Sequence, residues 1–142
     1  MFRDPHKGRG RITVVAHGVE AGVWSPFGIM NAFELAQMIR GEYDVSDIGY
    51  IRLSVCYSAA GEGRSLAAWL SLQLREVEVK GHVGPVFCNF DPEAMSDLRE
   101  SVSMESINWM NNYIGHIVVK DGVNYWAQTF KNGQLIKTSL RP

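Results

Sequence analysis

The chain has 142 residues, 46% of them hydrophobic, which suits one domain with a real core and is short for two. Fourteen Lys and Arg stand against fifteen Asp and Glu, a formal net charge of -1, so no overall field favours nucleic acid or an anionic membrane. No apolar run approaches the roughly 18 residues of a membrane span, and Cys56 and Cys88 are too few for a disulfide scaffold, which fits a reducing compartment.

The opening Met1-Phe-Arg-Asp-Pro-His-Lys-Gly lacks the apolar stretch of a signal peptide. The expected location is therefore the cytoplasm, or a host-cell cytosol reached through a dedicated secretion machine. Gly8-Arg-Gly10 reads as a turn, too short for a phosphate loop. The first predicted strand, Ile12-Thr-Val-Val-Ala, is β-branched and ends in His17-Gly18. A Gly/Pro/Trp-containing loop follows over 19–30, small and polar enough to line a cleft.

Asn31-Ala-Phe-Glu34 has the spacing of a capping box, Leu35, Met38 and Ile39 form an apolar stripe, and Gly41 is placed as a stop. The spacing predicts a helix over 31–40 linking two parallel strands. The strand over 49–56 alternates Tyr50, Arg52, Ser54 and Cys56 with Ile51, Leu53 and Val55, so one of its faces is not ordinary core. A small-residue turn from Tyr57 leads to a helix opening at Ser65, with Leu66, Trp69, Leu70 and Leu74 on one side.

A β segment over 77–83 runs into Gly84-Pro85, and 86–90 continues extended, with Cys88 a packed core residue. Asp91-Pro92-Glu93 opens a helical region reaching about Asn112. The end of the chain predicts an antiparallel meander, with strands over 115–120, 123–131 and 134–140 joined by Asp121-Gly122 and Asn132-Gly133 turns. The second turn sets Phe130 against Leu135 and Thr129 against Ile136. The expected architecture is α/β: a mostly parallel sheet flanked by helices, with a C-terminal antiparallel meander over 115–140, all in one domain over 1–142.

In a parallel sheet the carboxyl ends of neighbouring strands share an edge, and there His17 and Cys56 would meet. A thiol near an imidazole or a helix N-terminus favours its thiolate, the nucleophilic form. Cys56 would attack a carbonyl, the amides of Gly18 and Cys56 would face the oxyanion, and His17 would protonate the departing amine and activate water. Trp24 after the His and Ser58 after the Cys are the candidate substrate contacts, with Phe27 and Trp126 further aromatics for the groove. His6, His17, His82 and His116 are scattered and match no zinc spacing; His82 reads as structural.

Val14-Val-Ala-His17-Gly18 and Leu53-Ser-Val-Cys56 with Ser58-Ala-Ala-Gly61 resemble the His-Gly and strand-Cys signatures of caspase-like, clan CD cysteine peptidases. The similarity is greatest to autoprocessing cysteine protease domains of large bacterial toxins and related secreted effectors, where a helix like Ser65-Leu66-Ala-Ala-Trp-Leu70 and a Gly84-Pro85-Val86 run recur in this order. It covers about residues 11–90. The resemblance implies a Cys56–His17 dyad with the amides of Gly18 and Cys56 as the oxyanion site, no required cofactor, and a peptide or protein substrate, the chain's own polypeptide included. It also implies a C-terminal β-flap responding to inositol hexakisphosphate, for which Arg52, Arg64, Lys80, Lys120, Lys131 and Lys137 are the candidate anion contacts. A solvated strand surface explains the same lysines. The Gln-Ala that precedes a caspase nucleophile is absent, so cleavage after Asp is not implied.

Two other functions use the same residues. A non-catalytic module would bind a partner peptide in the same crevice or on the meander edge, and a deamidase or transferase would run different acyl chemistry through the dyad.

Overall fold

The computed structural model describes residues 1–86 and 127–139. Its strands are β1 (Phe2–His6), β2 (Arg9–Val15), β3 (Gly18–Val19), β4 (Gly22–Ser25), β5 (Gly28–Asn31), β6 (Ile48–Ser54), β7 (Glu78–His82), β8 (Ala127–Lys131) and β9 (Gln134–Ser139), and its helices are α1 (Ala32–Glu42) and α2 (Leu66–Gln73). The main sheet has the order β1-β2-β6-β7-β8-β9, and β3-β4-β5 form a small second sheet.

Among the described residues, only β2, β6 and β7 run parallel; β1 and the β8–β9 hairpin pair antiparallel at the two sides. The sheet is therefore mixed rather than mostly parallel. The chain steps from β2 to β6 to β7 in one direction, and right-handed crossovers of that kind deliver both helices to the same face. There Ile12, Val14, Ile51, Leu53, Val79 and Phe130 of the strands meet Leu35 and Ile39 of α1 and Leu66 and Leu70 of α2 in one buried cluster.

The expected helices form, with shifted ends. Asn31 caps α1 and exchanges hydrogen bonds with Glu34, a complete capping box. Gly41 does not stop it: the helix runs on to Glu42, and the Tyr43 N–H closes the last turn on Ile39. Ser65 caps α2 by accepting from the Ala68 N–H, but Trp69 lies 47% exposed, because Ala67, Ala68 and Ser71 join the leucines against the sheet.

Four other expectations are corrected. The His-bearing strand is not the first, since β1 precedes it through a turn whose Lys7 and Gly8 both hold positive φ. The supposed loop over 19–30 is the β3–β5 sheet, its hairpins turned at Ala21 (φ 55°) and Gly28 (φ 111°). The sequence hides it because each strand is only a few residues long. Asn132 and Gly133 make the expected turn with Phe130 opposite Leu135, yet a bulge between Thr129 and Phe130 sets Thr129 against Lys137, not Ile136. The β segment expected over 77–83 is β7, one residue shorter at each end. The extended run expected over 86–90 from residue 87 on, the segments expected over 91–112, 115–120 and 123–126, the Asp121-Gly122 turn, the end of the last strand at residue 140, and the residues Cys88, His116, Lys120 and Trp126 lie outside the described residues. No described helix is long and apolar enough to cross a membrane.

Candidate active site

β2 and β6 pair in parallel up to Val15 opposite Ser54, and two residues beyond each of these stand His17 and Cys56. The two are brought to one sheet edge by that register. Contact between the two segments there is close: a Cβ on Gly18 would overlap the Cys56 carbonyl oxygen and come within 2.9 Å of Val55 Cγ1. Glycine is required at 18 because the backbone of one segment lies directly on that of the other.

After His17 the chain folds back, its carbonyl accepting from the Trp24 N–H at 2.9 Å. Since Gly18 faces Val23 in the next pair of this antiparallel ladder, the alternation turns the Gly18 N–H away from β4. The same alternation puts Val23 into the core and leaves Trp24 54% exposed opposite Ile29. Phe27 projects fully at the hairpin tip.

Cys56 is followed by a tight turn with Tyr57 at φ 57°, a left-handed conformation held by the surroundings. Three hydrogen bonds stitch this turn to β7 and its continuation: Tyr57 N–H to Gly84 O (3.1 Å), Ala59 N–H to His82 O (2.8 Å), and His82 N–H to Ser58 Oγ (3.0 Å). Ser58 is buried, so its hydroxyl serves this seam and does not face a substrate groove. Beside it Gly81 leaves room, since a Cβ there would come within 2.9 Å of Ser58 Oγ.

The half-buried Cys56 thiol donates to the Val86 carbonyl at 3.3 Å and its sulfur accepts from the Val86 N–H at 3.2 Å. Sequence reasoning placed a helix N-terminus close behind Cys56. The helix does open at the expected Ser65 cap, but the donor at the sulfur is the Val86 amide, from the stretch that continues β7.

His82 is fully buried and its Nδ1–H donates to Leu53 O at 2.9 Å. Burial pushes its pKa down to about 4, with Lys80 and Arg52 adding to the effect and the Leu53 bond opposing it. It is a neutral structural residue, as its sequence context suggested.

The sheet face away from the helices carries cations. Thr13, Arg52, Lys80, Thr129 and Lys137 stand in one cross-strand row over β2, β6, β7, β8 and β9. All of these but the buried Thr13 line a cavity of about 530 Å³, together with His6, Lys7, Arg11, Tyr50 and the carboxylate of Glu78. Burial, and then Lys137, Arg52, Arg11 and Lys7, hold Lys80 below its ordinary pKa. Arg11 pairs with the buried Asp4 at 2.6 Å. Of the sequence candidates, Arg52, Lys80 and Lys137 come together here, while Arg64 and Lys131 do not line this cavity. His6, Lys7 and Arg11 were missed, although the alternation of Arg11 with Ile12 marks it as facing away from the core. Among the described residues no three His, Cys, Asp or Glu side chains are grouped to hold a metal ion. No protein-family model, curated protein or solved structure matches the chain.

Proposed function

We propose that the chain is a cysteine peptidase of the caspase-like kind, a bacterial toxin or effector protease that processes its own polypeptide or another protein. The observation that carries this reading is the seating of Gly18 on the Cys56 backbone, which ties the His-bearing and Cys-bearing strand ends to one rim. Cys56 passes its proton to His17 and attacks the scissile carbonyl carbon, and the Gly18 N–H, turned away from β4, faces the resulting oxyanion with the Cys56 amide. As the tetrahedral intermediate collapses, the C–N bond breaks and His17 gives the proton to the amine. A water deprotonated by His17 then cleaves the thioester and releases the acid. Trp24, exposed and joined through its N–H to the His17 carbonyl, offers an apolar wall to the substrate.

The cationic face is the place for an anionic effector of the inositol hexakisphosphate type, since clustered Arg and Lys donors match several phosphates at once. It lies on β2, β6 and β7, the strands whose ends bear the dyad and the Cys56 turn.

The test is the mass of the product formed from the chain itself and from a peptide library. A cut chain, absent with Cys56→Ala, is expected. A one-unit amide-to-acid change or an added group would replace the peptidase with another acyl-transfer enzyme, and binding without any product would leave the non-catalytic module.

A further inference from the structure

The strand order β2-β6-β7 places His17 on one side of Cys56 and the continuation of β7 on the other. The thiol engages the second side. Its proton is directed to the Val86 carbonyl and its lone pair receives the Val86 N–H, while Tyr57 N–H to Gly84 O fixes the same stretch of backbone two residues earlier. Val86 is itself buried, so this peptide is not a mobile group brushing the sulfur in solvent.

We propose that the Val86 peptide is a positioning group for the Cys56 sulfur, parking the neutral thiol away from His17 through its carbonyl and holding the thiolate through its N–H. The two halves respond oppositely to ionisation. When the proton moves from Sγ to a ring nitrogen of His17, the sulfur has nothing left to donate, and the Val86 oxygen and the thiolate repel each other. The N–H contact strengthens at the same moment, because its acceptor has become an anion. The sulfur then pivots about the Val86 N–H toward the gap between Cys56 and His17, where a substrate carbonyl would sit. This rests on Cys56 being the nucleophile of the proposed peptidase, and Val86 acts through it without touching the substrate.

The decisive experiment follows the Val86 amide by proton–nitrogen NMR while the pH dependence of Cys56 alkylation by iodoacetamide is measured on the same protein. The Val86 amide should shift with the midpoint of alkylation, and the shift should vanish in Cys56→Ala. Val86→Pro, which lacks the N–H, should raise that midpoint by about one pH unit or more, the worth of one hydrogen bond to a charged acceptor. Val86→Ala, which keeps both main-chain groups, should restore the wild-type midpoint. A Val86 amide that ignores the Cys56 titration overturns the proposal whether or not the proline variant folds, and so does a midpoint unchanged in a folded Val86→Pro. Neither readout needs proteolysis, so a chain that cuts nothing yet shows the coupled titration sinks the peptidase and spares this inference.

Discussion

Acidification should destabilise this fold above all through the fully buried His82. In the unfolded chain its imidazole ionises near pH 6.5, whereas burial in the fold pushes that down to about 4. Between those values the unfolded chain binds a proton that the folded chain refuses. The stabilisation is thus whole above about pH 6.5 and lost as pH falls toward 4, by about 3 kcal/mol between pH 7 and pH 4. His82 is fully buried, so solvent screening does not reduce this contribution much. The assay is urea unfolding followed by circular dichroism at half-unit pH steps, on wild type and His82→Asn. Asparagine presents an amide donor near the position of Nδ1, keeps a hydrogen bond to Leu53 O within reach, and does not titrate. Carboxylates titrate in both proteins, so the difference in slope isolates the imidazole. Parallel stability curves between pH 4 and pH 6.5 would refute the reasoning. Because His82 also accepts from Ala59 and donates to Ser58, its protonation should loosen the turn behind Cys56 first.

Gly18→Ala drives a methyl into the Cys56 carbonyl and should cost roughly 1–3 kcal/mol in urea unfolding. By displacing the dyad it should also slow peptide cleavage roughly a hundredfold; full activity would remove the close approach from the argument. Arg52→Ala and Lys80→Ala should each weaken inositol hexakisphosphate binding at least about tenfold by calorimetry, one charge-assisted contact apiece. Lys131→Ala, outside the cavity, should leave it unchanged, and equal losses at all three positions would dissolve the site into general surface charge.

The sequence made the capping box of α1, the Asn132-Gly133 turn and the two strand ends readable because each is a local pattern with one physical meaning. Gly41 misled because a helix tolerates glycine when the turn beyond it is closed by another donor, here the Tyr43 N–H. Trp69 misled because small residues on the neighbouring positions let the helix roll its alanines inward. The β3–β5 sheet is made of pairs too short to show a period, and the balance of parallel to antiparallel strands depends on where β1 and β8 dock, which no single segment encodes. At the site, side chains were legible and main chain was not. His17, Gly18 and Cys56 stand out by type and position, while the Val86 contact is made by a peptide group any residue carries.

The central claim is that His17 and Cys56 act as one catalytic pair, and labelling with a peptidyl acyloxymethyl ketone followed by intact mass tests it most directly. Wild type should take up one equivalent at Cys56, Cys56→Ala none, and His17→Ala should react at least about a hundredfold more slowly, the usual worth of positioned acid–base help. Labelling of His17→Ala at the wild-type rate, or equal labelling of Cys56→Ala, would contradict it.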